Sequence, residues 1–184
     1  MMVDKLPFNE SWTLFLDRDG VINERLPGDY VKTPEQFVFT NGACEAIAKL
    51  SAVFGLVIVV TNQQGIGKGL YTEQDLARVH EKMLDGVKAA GGRIDGIYFA
   101  PQLAAEKSPM RKPGIGMALQ AQKDFPAIDF SRAVMIGDSD SDMDFAETAG
   151  MHAIWITDHH RKDKNRPYVI AQVPSLSEAA KILL

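Results

Sequence analysis

The sequence predicts an α/β fold: three layers built on a mostly parallel sheet. Two patterns carry that expectation. Short apolar runs alternate along the chain with longer stretches of helical periodicity, the order that places helices on both faces of a sheet. The run Leu56-Val57-Ile58-Val59-Val60 is continuous and rich in β-branched residues, as a strand buried on both faces requires.

Trp12 to Leu16 reads as the first strand and is followed by a long loop through Thr40. Asn41 is placed to cap a helix from Gly42 to about Phe54, with Ala46, Ile47 and Leu50 on one face. Leu56 to Val60 is the second strand. Thr72 and Asp75 then form a capping box, with Asp where Glu or Gln is usual, and open a helix that runs to Ala90. Ile94 to Phe99 gives the third strand, and the region after Lys112 a helix interrupted by Gly114 and Gly116. Ala133 to Ile136 is the fourth strand, Met143 to Ala149 a helix, and Ala153 to Ile156 a further strand. Ser175 to Leu184 closes the chain as a short helix with Leu176, Ala179, Ala180 and Leu183 on its apolar face.

The 184 residues fit one domain, and a hydrophobic share of 46% is that of a globular protein with a sizeable core. A net charge of −4 with both signs interspersed leaves no footprint for nonspecific nucleic-acid binding. Met1 to Pro7 has no basic region leading into an apolar run, and no stretch is long enough to span a bilayer, so a cytoplasmic protein without a membrane partner is expected. A monomer is the expected state. Cys44 is the single cysteine and cannot form an internal disulfide; Ala43, Ala46, Ile47 and Leu50 around it predict a buried helix position.

The chemistry is concentrated at strand ends. Asp17-Arg18-Asp19-Gly20 follows the first strand, Thr61-Asn62-Gln63 the second, Arg111-Lys112-Pro113 the third through a loop, and Gly137-Asp138 through Asp142 the fourth. A lone Asp-x-Asp also serves in turns and helix caps. Parallel strands, however, deliver all four segments to one rim, where ligands of such sheets bind. Asp17 and Asp19 sit two apart and share one side of an extended backbone, Arg18 points elsewhere, and Gly20 permits a tight turn.

Two neighbouring carboxylates need a cation or a shared proton. A phosphate monoester is itself highly anionic, so a carboxylate nucleophile acting on it also calls for a divalent cation. Asp17 is the candidate nucleophile, forming an aspartyl-phosphate. Asp19 is the candidate proton donor to the leaving alkoxide and later activator of water, a task that calls for a raised pKa. Asp17, the backbone carbonyl of Asp19, and Asp138 offer hard oxygen ligands suited to Mg²⁺, with Asp142 orienting the ion or its waters. Thr61 and the Asn62 N–H are placed to receive phosphoryl oxygens, and Lys112 to supply positive charge. Arg18, Asn62, Arg111 and Lys112 are the candidate substrate-binding residues.

Two other motifs carry less. Gly65-Ile66-Gly67-Lys68-Gly69 lacks the spacing and terminal Lys-Ser/Thr of an ATP-binding loop. His80 falls within a helix, and His159-His160 are adjacent in a basic loop, an arrangement unsuited to a compact metal site and read as a solvated face.

These four segments together resemble the motifs of the haloacid dehalogenase superfamily of aspartate-dependent phosphatases, over nearly the whole chain. The resemblance implies a Rossmann-like fold, Mg²⁺ and hydrolysis of a small phosphorylated metabolite. Val21-Ile22-Asn23, the stretch from Val60 to Gly67, and Arg111 to Met117 are similar to the branch of heptose bisphosphate and histidinol phosphate phosphatases. Members of that branch lack a large cap domain, so the loops at 23–40 and 100–111 are expected to shape selectivity, with Arg111 contacting substrate and Asn62 helping to hold its phosphate. D-glycero-D-manno-heptose 1,7-bisphosphate, losing its 7-phosphate, is the implied substrate.

The resemblance breaks at one loop. Relatives carry a structural zinc site, whereas Ala100, Gln102, Ser108 and Met110 occupy the four ligand positions here, leaving no thiolate or imidazole; no structural zinc is expected. Pro101 and Pro109 are expected to replace part of the lost rigidity. Ser139 stands where heptose-bisphosphate relatives often have lysine. Histidinol phosphate, a nucleic-acid 3′-phosphate, and a noncatalytic phospho-receiver or metabolite-binding role are the alternative readings. Asp19, suited to activating water, argues against the receiver.

Overall fold

A computed structural model describes residues 7–158 and 166–184. The N-terminal residues 1–6 and the His159-His160 loop therefore lie outside the described residues. Six strands form one sheet in the order β3-β2-β1-β4-β5-β6, every neighbouring pair parallel. They are β1 (Thr13–Leu16), β2 (Leu56–Asn62), β3 (Gly96–Ala100), β4 (Ala133–Gly137), β5 (His152–Ile156) and β6 (Val169–Val173). The helices are α1 (Ala43–Val53), the single turn α2 (Gln64–Gly67), α3 (Glu73–Ala89), α4 (Gly116–Asp124), α5 (Asp140–Ala149) and α6 (Leu176–Leu183). The sheet is parallel throughout the described residues, and the Rossmann-like expectation holds.

Alternation along each strand divides the core between the two faces of the sheet. Leu14 and Leu16 of β1 join Val57 and Val59 of β2 on the face covered by Ile47, Leu50, Val79, Met83, Leu176 and Leu183 from α1, α3 and α6. Phe15, Ile58, Val60 and Met135 point the other way, against Met117, Ala121, Met143 and Phe145 from α4 and α5. β1 pairs with β2 and β4 at its centre, Leu16 opposite Val59 and Ile136. Strand order reverses there, so the crevice beyond the carboxyl end of β1 is the one such sheets use for ligands.

The capping box of α3 forms as read: Thr72 Oγ1 accepts from Asp75 N at 3.1 Å, and Asp75 Oδ2 from Thr72 N at 2.8 Å. Several boundaries differ. Asn41 does not cap α1; Gly42, left-handed at φ 72°, occupies that position, and the Asn41 carbonyl instead accepts from Ser177 Oγ at the start of α6. Cys44 is only half-buried, one position off the face formed by Ala43, Ala46, Ile47 and Leu50.

β3 begins at Gly96 rather than Ile94, because the Asp95 carboxylate takes the Val57 N–H at 2.8 Å and ends the ladder there. α4 starts at the second of the two glycines, Gly116, whose N donates back to Pro109 O at 2.8 Å. The edge strand β6 is not among the sequence expectations: it is only half-buried over most of its length. No helix among the described residues is long and apolar enough to cross a membrane.

Phe15 is fully buried on the central strand. Phe15→Ala is therefore expected to lower unfolding free energy by about 3–5 kcal/mol, measured by urea denaturation, with an unchanged m-value.

Candidate active site

Lys112 lies at the centre of the strand-end rim. Its side chain is 2% exposed, and the ammonium donates to Asp17 Oδ1 and Val60 O, each at 2.8 Å, while pairing with Asp142 Oδ1 at 2.7 Å. Two of these contacts are hydrogen bonds, and the third is an ion pair. Asn62, at the end of β2, fixes the lysine from behind: its Oδ1 accepts from Lys112 N at 3.0 Å, and its Nδ2 donates to Lys112 O at 3.1 Å. Burial opposes the charge on Lys112, but Asp142 and Asp17 outweigh it and raise the pKa.

Asp17 follows β1 and is held to β4 by its N–H to Ile136 O at 2.9 Å. Its Oδ1 also accepts from Arg18 N at 2.8 Å. Burial, with Asp142 and Asp138 nearby, raises its pKa to about 7 against the pull of Lys112. Asp138 is raised to about 6, first by burial and then by Asp142, with Arg25 opposing. Asp17, Asp138 and Asp142 each bring one carboxylate oxygen within 4.8 Å of the others. Gly20 permits this approach: it turns the chain at φ 88°, and a side chain there would run into the Asp138 carboxylate.

Asp19 occupies a different environment. Arg18 Nη2 donates to both of its oxygens at 2.9 and 3.1 Å, Asn23 Nδ2 to Oδ1 at 3.0 Å, and Gln63 Nε2 to Oδ2 at 2.9 Å. Burial would raise its pKa, but the Arg18 charge and these hydrogen bonds prevail and hold it below the ordinary carboxylate value. The raised value that a resting general acid would need is therefore absent. Behind Arg18 lies His80, held well down to about 3 by burial and by the guanidinium; the neutral ring accepts from Arg18 Nη1 through Nε2 at 3.3 Å. Tyr71 donates to Gln63 Oε1 at 2.6 Å, completing a buried frame around Asp19.

A cleft of about 200 Å³ is lined by Asp17, Asp19, Arg25, Asn62, Arg111, Lys112, Ser139, Ser141 and Asp142. It is smaller than a neighbouring groove of about 650 Å³ that shares Gly20 and Asp138 with this rim. The chemistry, rather than the volume, locates the site.

Four readings from the sequence change. Arg18 does not reach substrate through its side chain: the guanidinium is buried and spent on Asp19 and His80. The Asn62 side chain is engaged with the Lys112 peptide rather than free for phosphate. Asp142 acts first on Lys112 and on its own helix start, accepting from Ser139 N at 3.0 Å and Ser139 Oγ at 2.6 Å. Thr61 is buried, its Oγ1 accepting from Gln63 Nε2 at 2.8 Å, and does not line the cleft. Gln63, His80, Tyr71 and Arg25 were not assigned to the site from sequence. Gln63 sits inside the Thr-Asn-Gln segment, but nothing in the pattern tied the others to Asp19 or Asp138.

The loop at 100–111 is fastened by main-chain bonds. Gly67 N donates to Pro101 O at 3.1 Å, Gly116 N to Pro109 O at 2.8 Å and Arg111 N to Ser108 O at 3.1 Å. Pro101 and Pro109 thus contribute through their carbonyls.

A family model described as HAD-hydrolase-like matches residues 109–179. A Burkholderia mallei protein named D-glycero-alpha-D-manno-heptose-1,7-bisphosphate 7-phosphatase is 42% identical over 145 residues, covering 75% of this chain and 75% of its own. The chain belongs to the haloacid dehalogenase superfamily, in the branch of the heptose-bisphosphate phosphatases. A Rhodopseudomonas palustris member named for the beta anomer is 40% identical over 147 residues, 74% of this chain and 78% of its own. The crystal structure of D,D-heptose 1,7-bisphosphate phosphatase from B. bronchiseptica, complexed with magnesium and phosphate, superposes with a TM-score of 0.81 at 27% identity, covering 94% of this chain and 97% of that one.

The raised pKa values of Asp17 and Asp138 have a stability consequence with a definite sign. A carboxyl whose folded pKa exceeds its unfolded one penalises folding once pH passes the unfolded value, and the penalty grows until pH passes the folded value. Between pH 4 and 7 these two groups therefore cost stability as pH rises. Asp17→Asn of this phosphatase-family chain is expected to raise Tm at pH 8 by about 2–4 °C relative to the parent. The gain should shrink towards pH 4 in thermal scans run without divalent ions.

Proposed function

We propose that the protein is a Mg²⁺-dependent phosphate-monoester hydrolase that removes the 7-phosphate of D-glycero-D-manno-heptose 1,7-bisphosphate through an aspartyl-phosphate on Asp17. The observation that carries this reading is the pair of carboxylates, Asp17 and Asp19, opening on one small cleft in opposite electrostatic states.

The donor set fits the ion. Three carboxylates converge around one ammonium, and the upward shifts of Asp17 and Asp138 reflect negative charge that Lys112 does not fully offset. Asp17, Asp138 and the carbonyl of Asp19 would hold Mg²⁺. When bound, the ion offsets the charge of the phosphoryl oxygens and favours ionised Asp17.

The chain's own groups perform the transfer. Asp17 Oδ1 is occupied by Lys112 and the Arg18 N–H, which leaves Oδ2 to attack. Oδ2 bonds to phosphorus as the phosphorus–oxygen bond to the sugar breaks, and the departing alkoxide takes a proton from Asp19. The Asp19 carboxylate then removes a proton from water as the water oxygen attacks phosphorus. Phosphate leaves, Asp17 regains its carboxylate, and Asp19 is again protonated. The Arg18, Asn23 and Gln63 contacts that hold Asp19 ionised suit the second half. For the first half, the anionic phosphate arriving beside it raises its pKa. Lys112, with its protons already engaged, serves as fixed positive charge. Thr61, buried outside the cleft, accepts from Gln63 Nε2 and so steadies the amide that also donates to Asp19.

Arg111 favours a bisphosphate. It lines the cleft with a buried Nη1 that has no hydrogen-bond partner among the described residues, a cation suited to a second phosphate. The imidazole and amine of histidinol phosphate would meet that charge unfavourably. Relatives named for the alpha and the beta anomer are about equally similar, so anomer choice rests on assay.

Phosphate release with Mg²⁺ from both heptose bisphosphate anomers, histidinol phosphate and 3′-phosphorylated DNA tests the reading. Release should be fastest from one heptose anomer and absent in Asp17→Asn; a preference for histidinol phosphate or DNA overturns the substrate. Asp19→Asn should lower kcat by about 10²- to 10⁴-fold in the same assay.

A further inference from the structure

Arg25 stands on the 23–40 loop, held there by Glu24 N donating to Val38 O at 2.8 Å and by Asn23, which bridges to both Asp19 and Phe39. Its guanidinium reaches across the mouth of the cleft. One nitrogen, Nη2, donates to Asp138 Oδ1 at 2.8 Å and to the backbone carbonyl of Asp19 at 3.4 Å. Those are two of the oxygens assigned above to a divalent cation. The side chain is 55% exposed, against 17% for Asp138, so the arginine is free to swing into solvent without leaving a buried charge behind.

We propose that Arg25 is an internal counter-ion that competes with the divalent cation for Asp138 and the Asp19 carbonyl, so that metal binding and the position of the Arg25 side chain are coupled. This rests on the metal-ligand reading above. The charge arrangement explains why a competitor is useful. Asp17, Asp138 and Asp142 against Lys112 leave an excess of negative charge at the rim, which Arg25 partly offsets and a divalent ion offsets more fully. A cation and a guanidinium on the same oxygens repel each other, so entry of the ion drives Arg25 off. Arg25 is then released at the mouth of the cleft that Arg111 also lines, where an anionic substrate enters.

The opposite arrangement is also definite. If the ion took one oxygen of Asp138 and Arg25 kept the other, the arginine would orient the ligand, and its loss would weaken metal binding. The two cases differ in sign.

The test is binding of Mn²⁺ alone, followed by loss of the free-ion electron paramagnetic resonance signal, to the parent protein, Arg25→Gln and Arg111→Gln at low ionic strength. Arg111 lines the same cleft without a hydrogen bond to either oxygen and reports the general effect of removing a positive charge. Arg25→Gln should tighten Mn²⁺ binding about two- to five-fold, the range a half-exposed ion pair supports, and by more than Arg111→Gln. The gain should fall as salt is added. Unchanged or weaker binding in Arg25→Gln, or an equal gain in both variants, overturns the competition while leaving the metal reading intact. No Mn²⁺ binding by any of the three proteins overturns both.

Discussion

The buried ammonium of Lys112 is the interaction on which the rest of the site depends. A charge that deep is tolerated only when it is paired and hydrogen-bonded, and here Asp17 and the Val60 carbonyl accept from it while Asp142 adds a second ion pair. Those three partners come from β1, α5 and β2, so one side chain ties together the elements that present the chemistry. Removing the lysine would leave the Asp17 and Asp142 carboxylates without their shared counter-charge at the point where the sheet order reverses. Asn62 makes the arrangement definite by gripping the Lys112 peptide on both its donor and its acceptor.

From this follows the separation of the two reactive carboxylates. Asp17 shares its surroundings with Asp138 and Asp142 and is pushed up, whereas Asp19, two residues along, is surrounded by Arg18, Asn23 and Gln63 and is pushed down. Pairs of acids driven apart in this way are how one site supports two roles. The backbone makes it feasible: Arg18 turns into the core between them, and the neutral His80 ring accepts from it without adding a charge. A protonated imidazole there would repel the guanidinium and loosen its hold on Asp19.

Much of this was legible in the chain. The continuous run at Leu56 to Val60 and the strand-then-helix order gave the parallel sheet, and the strand-end positions of Asp17, Asp19, Lys112 and Asp138 gave the rim. What was not legible depended on distances across the fold. Arg25 and Asp138 are far apart in sequence and meet only because the loop after β1 folds back over β4. Arg18 looked available to substrate because a sequence shows a charge and not its burial. β6 was missed because an edge strand, paired on one side only, carries a weak pattern.

The loop without zinc ligands shows why substrate binding and catalysis can diverge in such a chain. Arg111 and Lys112 are adjacent, yet they answer to different anchors. Lys112 is fixed from β2 through Asn62 and from α5 through Asp142, independent of what fastens residues 100–111. Arg111 is tied to that loop by its N–H to Ser108 O, and its guanidinium Nη1 has no partner among the described residues. A change in loop chemistry therefore bears on the Arg111 guanidinium while the Lys112 ammonium stays where it is. The chemistry of that loop is thus expressed at Arg111, the residue that it carries into the cleft.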